Sequence, residues 1–417
     1  MSQSADLAEA VERALRAPSV HNTQPWLWRM RPGVVELHAD WNRHLPATDP
    51  DRRDLVLSCG VALHHLQVAL AARGLATHVN RLPEPQDPGH LATITIRPGT
   101  GDVADAALFP GIDRRRTERR RMSHRPVPLS HVKTLAEQAS RTGAVLVPVT
   151  GPAMRQRLTA ALTEAAHTQA HTPGYGAELQ LWTRRHAEGR DGIPAGNVPP
   201  PTVGPLGSSP LRRFPPGQLN QPRQPPGRGP ADDAAELLVI ATPGDDQLDR
   251  LRAGEATSAV LLAATRLGLA TTPLSQALEV DITRQAVQLE VLHVPEHPQL
   301  IIRVGWPATA ATELPATPRR DLRSVLLRAC YGTDVIRRTH APAHKYAPGS
   351  KAGGSSPGTI RRPLISCGMR RSQYPRSPGA HGSTPVALVR SINSVLCSLV
   401  TSSARPRTST LQPLRVR

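Results

Sequence analysis

The chain has 417 residues, of which 43 are proline and 31 are glycine, while only 3% are aromatic. This composition excludes a packed core along the whole length, so we expect the folded part to be shorter than the chain. The formal net charge is +18, but residues 331–417 hold 14 Lys and Arg and one Asp, a net of +13. The remaining +5 is ordinary for a folded domain and does not indicate a specific nucleic-acid binder.

Cysteine usage and hydropathy narrow the protein class further. The four cysteines form no CxxC pair and no zinc-like spacing, which predicts a reducing compartment and no metal site. The N-terminus is acidic and amphipathic, and no apolar run approaches the roughly 18 residues of a membrane span. No Ser-His-Asp arrangement is suggested by GxSxG, and motifs of the types HExxH, P-loop and GxGxxG are absent. We therefore predict a cytoplasmic protein that does not enter the membrane.

Regular elements are predicted in the first hundred residues. Apolar spacing predicts a helix over 6–16, ended by Pro18, and a long helix over 55–73, closed by Gly74. Alternating apolar residues predict strands over 34–39, 75–82 and 91–97.

An internal repeat indicates two similar units. Residues 60–77 and 254–271 are both 18 long, share seven identical positions and end in GLAT. An apolar strand follows each copy, ATITIRP in the first and LIIRVGWP in the second. The repeat predicts two copies of one α+β unit, although alanine- and leucine-rich helices also resemble each other by composition alone.

Two segments fall outside this repeat. Residues 193–230 contain 12 prolines and exclude a regular helix or central strand, so they form either a lid over a binding site or a plain disordered loop. Trp182 and Phe214 are the expected anchors of this insertion. Residues 331–417 are rich in Ser, Pro, Gly and Arg and predict a disordered basic tail, either accessory or able to bind nucleic acid without sequence preference.

The most informative stretch is 17–28, APSVHNTQPWLW, which contains no charged residue apart from any charge on its histidine. One interpretation is a turn that leads into a strand over 27–37, with two tryptophans as core anchors. The other is recognition of a flat polar heteroaromatic ring, because Ser, Asn and Gln side chains stand beside rigid aromatics. The pattern AxxAPSxxNxQPWxW resembles the turn that contacts flavin in the nitroreductase superfamily, whose members use flavin mononucleotide (FMN). The longer form APSVHNTQPW is similar to the actinobacterial, dormancy-associated Acg branch.

That resemblance implies specific roles for residues in four places. Pro18, Ser19 and Asn22 would contact the flavin ring. In RRRTERRR, residues 114–121, three positions match the family pattern R-x-S/T-x-K/R: Arg115 and Thr117 would meet the phosphate or ribityl chain, and Arg119 the N1/O2 edge of the flavin. The alternative is a solvated basic loop.

Two further matches are weaker. The stretch GLATTPLSQ, residues 268–276, resembles the family turn GLxxxPxxG, in which Leu274 and Ser275 would take the place that meets flavin N5. Ser275 followed by Gln276 departs from that pattern, and an ordinary helix-to-strand loop is the alternative. Arg319 and Arg320 match a C-terminal basic pair that reaches the FMN phosphate.

The resemblance also implies an architecture. Nitroreductase-like proteins are typically homodimers with shared flavin sites, so we predict an α+β tandem fold in which one chain mimics the dimer. The predicted parts are 1–110 as the first half, 111–330 as the second half with its insertion, and the tail. Since the motifs for a second site are missing, the expectation is one FMN per chain and a monomer with an internal pseudo-dimer.

The implied activity is that of an FMN-dependent oxidoreductase. NAD(P)H, the expected co-substrate, would pass hydride through flavin N5 to a small organic electron acceptor. The sequence nominates no catalytic acid or base. The alternative is a flavin-sequestering protein with weak activity, in which the insertion covers FMN.

Overall fold

The computed structural model describes residues 3–183, 189–200, 212, 214–215, 217–222, 234–309 and 311–327. The strands are β1 (Trp26–Arg31), β2 (Val34–Ala39), β3 (Ala76–Arg81), β4 (His90–Arg97), β5 (Val145–Pro148), β6 (Glu236–Thr242), β7 (Ala270–Leu274) and β8 (His297–Gly305). The α-helices are α1 (Gln3–Ala14), α2 (Arg53–Ala71), α3 (Val103–Ala106), α4 (Pro110–Arg114), α5 (Leu129–Ser140), α6 (Gly151–Ala170), α7 (Tyr175–Thr183), α8 (Gln247–Arg266), α9 (Gln276–Glu279), α10 (Asp281–Ala286) and α11 (Leu322–Val325). Short 3₁₀ turns lie at Val20–Asn22, Trp41–Arg43 and Ala195–Asn197, and a π-helical turn at Val287–Leu292.

The strands form two four-stranded antiparallel sheets with the same connectivity. The first sheet has the order β1-β2-β4-β3 and the second β5-β6-β8-β7. In each sheet a long helix, α2 or α8, follows the second strand in sequence and precedes the third. The predicted α+β class is confirmed. The strand expected over 27–37 is instead a hairpin, because Gly33 adopts φ 70° and reverses the chain between β1 and β2.

Helices α2 and α8 pack directly against each other where two glycines meet. A Cβ on Gly60 would lie 2.1 Å from the carbonyl oxygen of Leu251, and a Cβ on Gly254 would lie 2.1 Å from that of Leu57. These are the first residues of the two repeat copies. The helices therefore approach at backbone distance, which only a residue without a side chain permits.

The ends of the repeat copies also correspond in conformation. Gly74 has φ 74° and Gly268 has φ 76°, so both follow their helices in the left-handed region that favours glycine. Strands β3 and β7 begin two residues later in each case. The shared GLAT sequence thus forms the same helix-to-strand turn twice.

Polar side chains cross the contact between α2 and α8. The buried carboxylate of Glu255 accepts hydrogen bonds from Arg81 Nε and Nη2, both at 2.7 Å, and from Gln67 Nε2 at 3.0 Å. The Ser258 hydroxyl lies 2.7 Å from His64 Nδ1 and 2.8 Å from His65 Nδ1. These contacts fix the register of the two helices, because each buried polar group needs its partner.

The hydrophobic core is continuous across the two sheets. One cluster takes in α1, α2, α5, α8 and the inner faces of both sheets. A second cluster packs α6, α9 and the π-helical turn on the outer face of the second sheet. Helix α2 is long and apolar enough to cross a membrane by length and composition alone, but 94% of that stretch is buried inside the protein. Its apolar character is accounted for by this core position.

Candidate functional site

A cavity lies where the turn after α1, the first half of α2 and the turn from β7 to α9 meet. About 860 Å³ of space lies between its walls, a figure that includes space open to solvent. The lining residues are Pro18, Ser19, Val20, His21, Asp54, Leu57, Ser58, Val61, Thr117, Arg119, Ile193, Arg212, Phe214, Thr257, Thr272, Pro273, Leu274, Ser275, Gln276 and Leu300. The lining includes residues of α2 and of α8, so the cavity depends on the packing of these two helices against each other.

Six of the residues singled out in the sequence line this cavity, although they lie up to 257 positions apart in the chain. They are Pro18, Ser19, Thr117, Arg119, Leu274 and Ser275. A parallel bridge between Thr117 and Thr271, with the Glu118 N–H donating to Thr271 O at 2.9 Å, holds the arginine-rich segment against β7. That pairing brings the second and third motifs together.

The turn after α1 holds an unusual backbone conformation. His21, Asn22 and Gln24 have φ values of 45°, 55° and 52°, all in the left-handed region. Two side-chain oxygens fix the turn, since Ser19 Oγ accepts from Gln24 N at 2.9 Å and Ser58 Oγ accepts from Val20 N at 3.1 Å. Clustered backbone strain of this kind is characteristic of functional sites.

Asn22 lies outside the cavity lining, and its expected contact with the flavin ring stays a prediction. Its Nδ2 donates to Gly192 O at 2.8 Å and to Pro318 O at 3.3 Å. The amide therefore joins the turn to two distant segments of the chain. Its Oδ1 is buried and has no hydrogen-bond partner among the described residues.

His21 is a cavity residue that the sequence reasoning passed over. It is buried, and neither ring nitrogen has a hydrogen-bond partner among the described residues. Burial, followed by the charges of Arg212 and Arg119, holds its pKa well below the ordinary value, so the imidazole is neutral. The central position of this histidine in APSVHNTQPW was the available signal.

Parts of the proline-rich insertion cover the cavity. The Phe214 ring packs edge-on against His21 with the centroids 5.9 Å apart, and the guanidinium of Arg119 lies 5.4 Å from the same ring. Arg212 Nη1 donates to Tyr175 Oη at 2.8 Å, and Nη2 pairs with Glu279. The described residues of the insertion therefore have specific contacts.

The other expected anchor also makes contact. The Ile193 N–H donates to Trp182 O at 2.7 Å, and the Trp182 side chain is buried. Trp182 and Phe214 thus both meet neighbouring segments, although much of the insertion lies outside the described residues. Its role as a lid stays a prediction.

Beside the cavity lies a cluster of arginines in which Arg115 and Arg319 have no paired carboxylate among the described residues, while Arg16 Nε lies 3.5 Å from Asp113 Oδ1. Burial, together with the charges of Arg115, Arg16 and Arg116, lowers the pKa of Arg319 to about 9. Burial likewise lowers the pKa of Arg115 to about 10, with Arg116, Arg119 and Arg16 adding to the effect. Each charged neighbour that acts on these two guanidiniums is another arginine, and Arg115 Nε has no partner among the described residues. The mutual repulsion of these buried cations would be offset by an anion, so the cluster suits a negatively charged group.

The hydrogen bonds of Arg320 are directed away from that cluster, and its expected phosphate contact stays a prediction. Its Nη1 donates to Gln24 O at 3.1 Å and lies 3.5 Å from Asp40 Oδ2, while Nη2 donates to Ser324 O at 2.7 Å. Its charge is paired, and its hydrogen bonds fasten the segment before α11 to the first turn. Arg319, by contrast, donates to the carbonyls of Ala17 and Arg16 within the arginine cluster.

A buried acidic group completes the cavity wall. Asp54, in the first turn of α2, lines the cavity, and its Oδ2 is buried without a hydrogen-bond partner among the described residues. Asp49 Oδ2 accepts from Leu55 N at 2.9 Å at the start of the same helix. Burial raises the pKa of Asp49 to about 7 and raises that of Asp54 well above its usual range. One feature of the sequence could have identified Asp54, because it is an acidic residue at the start of a continuous apolar helix.

These features define a class of protein: an α+β protein with a small-molecule cavity between two packed helices and, beside it, an arginine cluster that suits an anion. The family model of the nitroreductase family matches residues 112–306. A Mycobacterium tuberculosis protein named "Putative NAD(P)H nitroreductase Rv3131" is 45% identical over 313 residues, covering 75% of this chain and 88% of that protein. The chain belongs to the nitroreductase family.

A second relative identifies the branch. The M. tuberculosis protein named "Putative NAD(P)H nitroreductase acg" is 35% identical over 328 residues, covering 76% of this chain and 94% of that protein. The chain is thus a member of the Acg-like branch, as its first motif predicted. Among solved structures, the FMN-dependent nitroreductase NfnB from Mycobacterium smegmatis in complex with NADPH aligns with 18% identity and a TM-score of 0.35, over 54% of this chain and 97% of that one.

Proposed function

We propose that this protein is an FMN-dependent oxidoreductase that uses NAD(P)H to reduce a small organic acceptor. The arginine cluster is the observation that carries the proposal. Arg115 and Arg319 are cations without paired carboxylates among the described residues, next to the cavity. A phosphate monoester, with a charge of roughly −1.5 to −2 and three acceptor oxygens, complements such a cluster. These residues therefore fit the FMN phosphate.

The cavity supplies the surroundings for a planar ring. Pro18 and Leu274 provide apolar surface, and Arg119 is a cation whose pKa burial lowers to about 10, so it stays charged at neutral pH. A positive charge at an electron-rich ring edge favours the reduced cofactor. When bound, FMN supplies hydride transfer, which no amino-acid side chain provides. The chain's own residues bind it, orient it and cover it.

We also propose that the two similar halves act as an internal dimer. The identical strand orders, the equivalent helices α2 and α8, and the contact of Gly60 with Gly254 support this arrangement. Among the described residues the arginine cluster occurs once, without a second cluster at the corresponding place, which supports one FMN per chain. A monomer of 44.9 kDa in the cytoplasm follows from the proposal. Light scattering with flavin and protein quantified separately would test it, and two flavins per chain would contradict it.

The purified protein gives a direct test of the function. We expect absorbance near 450 nm from bound flavin, a wavelength set by oxidised flavin itself. Anaerobic NADPH should bleach it, and an organic acceptor should restore it. A protein that purifies without flavin and takes up no FMN would contradict the proposal at its first step.

A second candidate, FMN sequestration, rests on the insertion. Phe214 and Arg212 line the cavity and are themselves held by Arg119, Tyr175 and Glu279. A cover anchored in this way could prevent entry of NAD(P)H. Flavin that is bleached by dithionite but not by NADPH would favour sequestration over turnover.

A further inference from the structure

The acceptor reduced in this cavity needs a proton as well as electrons. In the overall reaction, NAD(P)H, one proton and a quinone give NAD(P)⁺ and the hydroquinone, whereas NAD(P)H, one proton and a nitro acceptor give NAD(P)⁺, the nitroso product and water. The reductant is the one named in the proposed function, on which this inference rests. The proton must come from a group that reaches the cavity or from water.

We propose that Asp54 delivers the proton that accompanies hydride transfer to the acceptor. Its carboxyl group faces the cavity, and Oδ2 is buried and has no hydrogen-bond partner in the part of the chain that the structure describes. A carboxylate in that position would be left without solvent or a donor for that oxygen, so the neutral acid is the stable form there. In the transfer, the carboxyl O–H bond breaks, the proton goes to the acceptor's oxygen, and the carboxylate regains a proton from solvent.

The groups around Asp54 favour the protonated, neutral form of its carboxyl group. Burial raises its pKa first, and the negative charges of Asp49 and Glu279 raise it further. A side-chain hydrogen bond from Ser275 and the charge of Arg212 lower the pKa of Asp54, against the larger effect of burial. The Ser275 hydroxyl donates to Glu279 Oε1 at 2.6 Å, and Arg212 pairs with the same carboxylate.

Asp49 does not share this role. Its carboxylate accepts from the Leu55 N–H, and the backbone amides of Asp54 and Arg53 also stabilise its charged form. It lies outside the cavity lining. Asp49 thus orders the start of α2, while Asp54 on the next turn presents its acid to the cavity.

Two acceptors separate proton delivery from electron delivery. Menadione takes up a proton on reduction, whereas ferricyanide takes only electrons. In the FMN-loaded Asp54→Asn variant, we expect the rate of reoxidation by menadione to fall about 10²–10⁴-fold, the usual contribution of a positioned acid. Bleaching by NADPH and reoxidation by ferricyanide should be unchanged. An unchanged menadione rate would overturn the proposal.

Asp51→Asn is the matched control, because Asp51 lies in the turn just before α2, is exposed and is outside the cavity lining. It should behave as wild type with both acceptors. The wild-type chain provides a test that needs no folded variant: the menadione rate should fall as pH rises through the pKa of Asp54, while the ferricyanide rate stays flat. The same pH dependence with both acceptors would contradict proton delivery.

Infrared spectroscopy reads the proton itself, without turnover. At pH 7 the C=O stretching region of protonated carboxyl groups should contain a component that Asp54→Asn lacks and Asp51→Asn retains, in addition to the contribution of Asp49, whose pKa is about 7. Equal intensity in this region in the wild type and in Asp54→Asn overturns the proposal. This component is measurable in FMN-free protein, so a colourless protein would refute the proposed function without being mistaken for failure at Asp54.

Discussion

The two sheets share one strand order but differ most in the connection between their first two strands. In the first half, a tight turn at Gly33 joins β1 to β2. In the second half, residues 149–235 join β5 to β6 and contain α6, α7 and the proline-rich insertion. The long connection brings Ile193, Arg212 and Phe214 to the cavity lining, whereas no residue of the turn between β1 and β2 lines it. Loops tolerate insertion better than paired strands, and the second sheet keeps its strand order despite this connection.

The outer faces of the two sheets also differ, because one is apolar and the other is polar. The second sheet packs α6 and α9 on an apolar outer face. The first carries a polar cluster there, in which Glu36 lies 3.3 Å from His38 and the rings of His38 and His90 stack 4.4 Å apart. Arg29 and Arg31 pair with Glu36, so that carboxylate is already neutralised. The cluster accordingly has the character of a closed polar network.

The largest expected effect comes from separating the halves. Gly254→Leu would place a side chain against the backbone of α2, 2.1 Å from Leu57 O at Cβ alone. Helix backbones cannot yield as flexible side chains do, so we expect loss of the folded protein. Gly176→Ala in α7, where nothing lies within 4 Å, is the control and should fold normally. Circular dichroism and solubility decide, and a stable Gly254→Leu protein would show that the glycine contact is dispensable.

The next effect concerns the buried ion pair that joins the halves. Arg81→Met should lower the free energy of unfolding by roughly 3–5 kcal/mol, because the Glu255 carboxylate stays buried without its charge partner. The double variant Arg81→Met, Glu255→Gln should recover part of this loss in urea unfolding. Arg155→Met removes the more exposed pair with Glu236 and should cost at most about 1 kcal/mol. Equal losses of unfolding free energy in Arg81→Met and Arg155→Met would mean that the burial of Glu255 does not increase the cost of removing its partner.

A smaller effect tests the asymmetry of the cofactor site. Arg319→Gln should weaken FMN binding about 10- to 100-fold, corresponding to a charged hydrogen bond of about 1.5–3 kcal/mol. Arg114→Gln, in the same basic run but exposed, should leave affinity unchanged. Fluorescence titration of FMN into the flavin-free protein measures both. Similar losses would indicate a diffuse basic field instead of a defined phosphate site.

The smallest effect belongs to the outer face of the first sheet. Burial, with help from His90 and Arg29, lowers the pKa of His38 from 6.5 to about 4. The unfolded chain therefore binds this proton first, and stability present above pH 6.5 is lost as pH falls toward 4. His38→Gln should reduce that loss in urea unfolding at several pH values, without affecting FMN affinity. His78→Gln, on an exposed position of β3, should retain the wild-type pH dependence.

Local sequence patterns were sufficient to predict the helices and strands that occur in both sheets. The GLAT endings predicted two helices that end at glycine and lead into strands, because a left-handed turn and apolar periodicity each depend on only a few neighbouring residues. The α+β class and the family followed from such patterns. The single strand expected over 27–37 failed because Pro32 and Gly33 permit a reversal that apolar spacing alone does not reveal.

The cavity depended on contacts that no local pattern encodes. The expected phosphate contact of Arg320 stays a prediction, and Asp40, 280 positions away, pairs with it. His21 and Asp54 were missed, since their importance arises from burial next to the insertion and to the turn after β7. Motif matching identified residues of the right type, while the tertiary fold determined which of them face the ligand.

The contact of Gly60 with Gly254 has a consequence for how such a chain can diverge. In a homodimer, a substitution near the axis occurs in both subunits, so every change must suit both sides at once. In one continuous chain the same change occurs once. Each side of the helix pair is thereby free to accumulate its own mutations, and a lineage with this architecture can explore asymmetric solutions that a symmetric assembly of identical subunits cannot reach.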